Sequence, residues 1–265
     1  MIFFISFIII IIIIITLKHH QMKELFENSN TNICIIISKK VTENMYRKYT
    51  ETTNSPIYFI SDQNPNLNYK NIYYYPDEEL KNKGFTNTHN IIPTCSWDKV
   101  IYFLKQNKMD YKYVWIIEDD CYLNKKLFNS FINLYNKDNT DLLLFGWHKK
   151  YNEPWSNWNT NIKNNQTNQT FFEQKDLCSS ITQIIRITPK VINRILEFQQ
   201  IHNRLCFHEI LFSSITNKFN LKKQIIKRND VKISAFQLKE SNFSINKLEK
   251  DKYIVVHPYK LWYNK

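Results

Sequence analysis

Three short apolar runs constrain the fold more than anything else in this chain. Residues 33–38 read ICIIIS, residues 56–61 read PIYFIS and residues 113–120 read YVWIIEDD. Each run is too short for a helix, and each is apolar at consecutive rather than alternate positions. That pattern fits strands covered on both faces, as in parallel sheets flanked by helices. Each run also stops abruptly at polar residues: Ser38, then Ser61 with Asp62, then Glu118, Asp119 and Asp120.

The segments between the runs read as helices. A helix is predicted over 41–50. Another runs from Ser96, as its cap, to about residue 106, with Trp97, Val100, Ile101 and Leu104 along one side. Helices are also predicted over 125–136, over 189–200 with Pro189 in the first turn, and over 209–216. Further strands are predicted over 71–75, 141–146, 181–188, 231–236 and 253–257. Strands alternating with helices predict an α/β fold with a mostly parallel sheet and flanking helices. Ligands of such sheets lie beyond the carboxyl ends of the strands. Ser38, Asp62 and the acids at 118–120 therefore converge on one edge. The polar stretch 147–176, with Trp147, Trp155 and Trp158, reads as a long functional loop.

Composition removes some functions. The chain has 2 glycines, Gly84 and Gly146, so neither a dinucleotide-binding turn nor a P-loop is present. Any phosphate must be met by a metal ion or by side chains. The net charge is +12, yet the lysines are dispersed and no nucleic-acid-binding motif accompanies them, so no nucleic-acid partner is expected. None of the 5 cysteines forms a CxxC pair. Cys34 reads as a buried thiol, and Cys95 with Cys178 is a candidate disulfide in an oxidising lumen.

Residues 2–17, IFFISFIIIIIIIITL, are almost wholly apolar. As a helix they span about 25 Å, which suits a thin secretory-pathway membrane. No Lys or Arg precedes them and no small-residue cleavage site follows, which argues against a removed signal peptide. The expectation is a single-pass anchor over 1–17, a stem over 18–32 and one catalytic domain over 33–265. Lys18 and Lys23 would keep that domain cytosolic by the positive-inside rule, whereas the sequons at Asn165, Asn168 and Asn242 permit a lumenal, ER- or Golgi-like location.

Three adjacent acids repel one another unless a cation offsets them. On a continuing strand, Glu118 and Asp120 face one way and Asp119 the other, and two oxygen ligands on one side suit Mg²⁺ or Mn²⁺. An exposed acidic turn is the plainer alternative. His208 and Glu209 stand at the start of a helix in CFHEIL, where capping alone would explain the glutamate. His257 ends the apolar stretch YIVVHPYK, where Pro258 stops the ladder.

In this order the three motifs resemble those of GT-A-type glycosyltransferases, metal-dependent enzymes with a Rossmann-like fold that use nucleotide-diphosphate sugars. Glu118-Asp119-Asp120 looks like the family's DXD motif, with Glu in place of the first Asp. His208-Glu209 looks like its acidic acceptor-site motif, and His257 like its C-terminal metal-binding histidine. The resemblance implies metal ligation by Asp120, Glu118 and His257. It also implies a donor site, for a UDP- or GDP-sugar, drawing on Ser38, Asp62, Glu118, Asp119 and Lys260. Asp62 would lie near the nucleoside and Lys260 near the phosphates. Glu209 would be the general base toward a hydroxyl of a glycan, protein or lipid acceptor if the anomeric centre inverts. The rival readings are a metal-dependent phosphodiesterase and an inactive scaffold that retains the fold.

Overall fold

The computed structural model describes residues 31–89, 92–144, 148–150, 171–226, 228–233, 245–250 and 252–259. The apolar segment 2–17, Trp147, Trp155, Trp158, the sequons and Lys260 lie outside these residues. No helix among the described residues is long and apolar enough to cross a membrane.

In chain order the strands are β1 (Asn32–Ser38), β2 (Ile57–Ser61), β3 (Ile72–Tyr74), β4 (Tyr113–Glu118), β5 (Tyr122–Leu123), β6 (Leu142–Leu144), β7 (His148–Lys150), β8 (Cys178–Ser180), β9 (Ile184–Ile187), β10 (Lys223–Ile225), β11 (Val231–Ile233) and β12 (Val255–His257). The helices are α1 (Glu43–Thr50), α2 (Asp77–Asn82), α3 (Ser96–Gln106), α4 (Phe128–Tyr135), α5 (Pro189–His202), α6 (His208–Lys218) and α7 (Ile245–Lys250). Seven strands form one sheet in the order β10-β6-β9-β4-β1-β2-β3. Neighbours run parallel except β9, which is antiparallel to both β4 and β6. The predicted α/β class with a mainly parallel sheet is what forms.

Both sheet faces are buried, which explains the uninterrupted apolar runs. Ile33, Ile35 and Ile37 of β1 and Val114 and Ile116 of β4 join one core with Val100 and Leu104 of α3 and Leu211 and Phe212 of α6. Cys34, Ile36, Trp115 and Ile117 point the opposite way, into a second core with Met45 and Tyr49 of α1, Phe128 and Phe131 of α4, and Val255 and Val256 of β12. Each fully buried aliphatic or aromatic side chain contributes about 1.5–3 kcal/mol, so both cores hold the central strands in place. Among the described strands of the main sheet, Arg186 of β9 is a charged exception. It is fully buried, lies 3.9 Å over the Tyr113 ring, and donates to the carbonyls of Thr140 (2.8 Å) and Tyr135.

Several expectations need correction. Ser96 is the first residue of α3 rather than its cap. Cys95 takes the cap position because the Asp98 carboxylate accepts its backbone N–H at 2.9 Å, one half of a capping box. Helix α4 begins at Phe128, not at 125, because Asn124 forms a turn in which its side chain accepts from Lys126 N–H. The stretch 147–176 is not all loop, since β7 pairs antiparallel with β8. The closing strands β11 and β12 are not part of the main sheet. With β5 they make a separate three-stranded sheet in the order β11-β12-β5. All 5 cysteines are free, so Cys95 and Cys178 are not bridged, and Cys178 Sγ instead receives Asn217 Nδ2 at 3.0 Å. Cys34 is a buried thiol, pushed up to about 12 by desolvation.

Candidate active site

The carboxyl ends of β1, β2 and β4 share one sheet edge. Parallel register sets Ser38 beside Ser61, and Ile37 beside Glu118. Beyond β4 the chain does not continue as a strand. Asp119 and Asp120 form a turn closed by Cys121 N–H to Glu118 carbonyl at 3.1 Å. The Asp119 amide donates to the Ile37 carbonyl at 3.0 Å, and its Oδ2 accepts the Ser38 hydroxyl at 2.5 Å. Asp119 is therefore fastened to β1, while Glu118 and Asp120 face the other way. The predicted split between the acids holds, but a turn produces it rather than strand alternation.

The small sheet delivers the histidine. Antiparallel pairing sets Val255 against Leu123 and Val256 against Tyr122. One residue further along, His257 reaches the acidic turn, and Tyr259 N–H donates to the Asp120 carbonyl at 2.6 Å. His257 Nε2 lies 3.0 Å from Asp120 Oδ1 and 3.4 Å from Glu118 Oε2. Burial pulls the His257 imidazole down, yet the carboxylates of Asp120 and Glu118 outweigh it and hold it up at about 9. Without a cation, the proton on His257 is what balances the acids.

These residues fit a divalent ion. Glu118, Asp120 and His257 each offer one ligand atom, all within 4.8 Å of one another. Asp120 Oδ1 is shielded from solvent, and His257 Nε2 is its close neighbour at 3.0 Å. Two carboxylates and one imidazole are a donor set suited to a divalent cation, and a bound ion would displace the His257 proton.

Glu209 comes from a different element and lies within the electrostatic reach of Glu118. It is the second residue of α6, whose first turn is held to β8 by the Ser180 hydroxyl donating to the Glu209 carbonyl at 3.4 Å. Burial, and then the charge of Glu118, push its carboxyl up to about 7. Its Oε2 is enclosed without a hydrogen-bond partner. Beside it, burial and the neighbouring His89 push His208 down to about 3, which leaves its ring neutral near pH 7.

No protein-family model and no curated protein matches this chain. Solved structures do. The galactosyltransferase LgtC, crystallised with donor and acceptor sugar analogues, is 12% identical, with 71% of this chain and 70% of that one covered and a TM-score of 0.38. Mouse xyloside xylosyltransferase 1 is 10% identical over 86% and 96% of the two chains, with a TM-score of 0.40. The 4-diphosphocytidyl-2C-methyl-D-erythritol synthase of Anaerococcus prevotii is 10% identical over 77% and 88%, with a TM-score of 0.41. At these identities the likeness is confined to the fold.

The remaining candidate residues on this sheet edge are more occupied than their sequence suggests. Asp62 is raised by burial and steadied by Lys99, whose buried Nζ lies 3.4 Å from Asp62 Oδ1 and 2.9 Å from Asp77 Oδ1. The Ser38 hydroxyl is directed at Asp119. Lys260 lies outside the described residues. Sequence reasoning passed over two residues that hold the site. Tyr49 is fully buried, and its hydroxyl sits 2.7 Å from the Cys121 carbonyl, 3.0 Å from that of Asp119 and 3.3 Å from that of Glu118. Only its spacing from Met45 on the apolar stripe of α1 marks it, and that predicts core. Trp97 also reads as core, but its indole reaches Glu118.

Proposed function

We propose that this chain is a metal-dependent glycosyltransferase that moves a sugar from a nucleotide-diphosphate donor, a UDP- or GDP-sugar, to a hydroxyl acceptor. The observation that carries this reading is the meeting of Glu118, Asp120 and His257 at one point, with the unsatisfied Glu209 carboxylate close enough to feel Glu118. Asp120, Glu118 and His257 would hold Mn²⁺ or Mg²⁺. When bound, the ion supplies positive charge for the two phosphates of the leaving nucleoside diphosphate. Glu209 takes the proton from the acceptor hydroxyl as its oxygen bonds to the anomeric carbon. The bond from that carbon to the phosphate oxygen breaks, and its electron pair leaves with the nucleoside diphosphate. A base at this position suits inversion of the anomeric centre. Asp62, Ser38 and Asp119 lie along the donor edge, and Lys260 belongs to the same proposed donor site.

The proposal extends to location. Residues 2–17 anchor the catalytic domain to a secretory-pathway membrane, and the acceptor is a glycan, protein or lipid there. Loss of an endoglycosidase-sensitive mass increment on removing Asn165, Asn168 and Asn242 would establish a lumenal domain.

The decisive experiment incubates the purified full chain with Mn²⁺ and a panel of UDP- and GDP-sugars, following release of nucleoside diphosphate. Slow release from one donor, lost in Asp120→Ala, is expected. Inertness toward every donor, or cleavage of nucleic acid instead, overturns the assignment.

A further inference from the structure

We propose that Trp97 is a positioning residue for the metal centre: its indole N–H holds one oxygen of Glu118 so that the other faces Asp120 and His257. This rests on the metal-dependent reading above and assigns a role to a side chain outside the ligand set. Trp97 is the second residue of α3 and is 4% exposed. Its Nε1 lies 3.2 Å from Glu118 Oε1, while Glu118 Oε2 lies 3.4 Å from His257 Nε2. The two oxygens of one carboxylate are thus divided between a donor on one side and the ligand cluster on the other.

The division has a physical purpose. Glu118 stands beside Asp120 and within the field of Glu209, so like charges push it out of the cluster. A hydrogen bond from a neutral donor to an ionised carboxylate opposes that rotation. An indole N–H only donates and does not titrate, so it cannot flip into an acceptor or compete for the metal. The ring itself is immobilised. It stacks on His208 with centroids 5.0 Å apart and planes 11° apart, and meets Phe212 edge-on at 5.6 Å. The same ring carries the residue preceding Glu209, so one side chain ties the metal carboxylate to the acceptor-side helix. Groups that orient a metal ligand in this way are worth about 10–100-fold in metal affinity.

A purely packing role predicts something different, because packing needs the ring and not its N–H. The test measures Mn²⁺ affinity of the full chain in detergent from the electron paramagnetic resonance signal of free Mn²⁺. Trp97→Phe is expected to bind Mn²⁺ at least about tenfold more weakly, with a lowered thermal midpoint from the cavity it leaves. Since Phe is smaller and weakens the packing of α3, 3-benzothienylalanine at position 97 is the second variant. It keeps the bicyclic shape, replaces N–H by sulfur, and is expected to show the same loss. 5-Fluorotryptophan, which keeps the N–H, is expected to restore wild-type affinity. Affinity within about twofold of wild type for the benzothienyl variant overturns the role of Trp97 while leaving the metal centre standing. A wild type that binds neither Mn²⁺ nor Mg²⁺ overturns the metal reading, and Trp97 with it.

Discussion

Asp98, fully buried, and Glu209, half-buried, are carboxyl groups in the first turns of two touching helices, and both are pushed up to about 7, chiefly by desolvation. Their surroundings differ. Asp98 Oδ2 receives Asn87 Nδ2 at 2.6 Å, the Cys95 amide at 2.9 Å and Cys95 Sγ at 3.2 Å. Glu209 Oε2 receives nothing, although it is enclosed. Asp98 completes the end of α3, and its acceptor capacity is directed inward at the chain. Glu209 keeps an acceptor open within the electrostatic reach of Glu118. A raised pKa alone would have nominated both as functional. The donors around each carboxylate separate them, because an enclosed acceptor without a donor persists only where something else holds it there.

That contrast can be broken experimentally. The largest expected effect is in Glu209→Gln, which removes the proposed base but keeps the shape. Transfer should fall about 10²–10⁴-fold, with nucleotide affinity and thermal midpoint retained. Near-normal transfer would remove Glu209 from the mechanism and make it another buried structural acid. Next is Asp98→Ala, which strips the α3 cap and leaves Asn87 without its acceptor. Urea unfolding should report a loss of about 1–3 kcal/mol, with Mn²⁺ affinity of the folded protein unchanged. A stability loss in Glu209→Gln matching that of Asp98→Ala would erase the distinction between the two sites.

The smallest effect is in pH dependence. A carboxyl with an ordinary value of 3.8, held at about 7 in the fold, binds its proton more tightly folded than unfolded. Its contribution to stability is fully present below about pH 4 and is lost as pH rises through about 7. Asp98 and Glu209 share this sign. Between pH 5 and 6.5 each should lower unfolding free energy by about 1 kcal/mol per pH unit. Asp98→Asn and Glu209→Gln should each remove one such share, read from urea midpoints at several pH values. A slope untouched by both variants would mean that neither carboxyl is desolvated as the packing indicates.

Much of the fold is legible in the sequence because the signal is local. The runs at 33–37, 56–60 and 113–117 are apolar at every position because alternate side chains enter two different cores. Helix α3 ends where its apolar face predicts, and Pro189 opens α5. The unpredicted elements β5, β7, β8, β10, α2 and α7 are short, with 2, 3, 3, 3, 6 and 6 residues. Such lengths carry too few turns or alternations to produce a periodic signal. The Trp97 indole and the Tyr49 hydroxyl escaped notice for a related reason. An apolar stripe reveals that a ring is buried but not what its one polar atom will meet.

The sequence by itself determined which chemistry was available: three acids at the end of a buried strand, a histidine ending another apolar stretch, a glutamate opening a helix, and no glycine loop to cradle phosphate. Only the tertiary structure decided that these groups share one place. Two residues of β5, pairing antiparallel with β12, set His257 against Asp120. The Ser38 hydroxyl draws Asp119 out of the cluster and into the sheet edge. Neither outcome can be read from spacing, because a two-residue strand has no intrinsic preference strong enough to name its partner. That partner is selected by the packed core beneath it, where Val255 and Val256 bury beside Trp115 and Phe128.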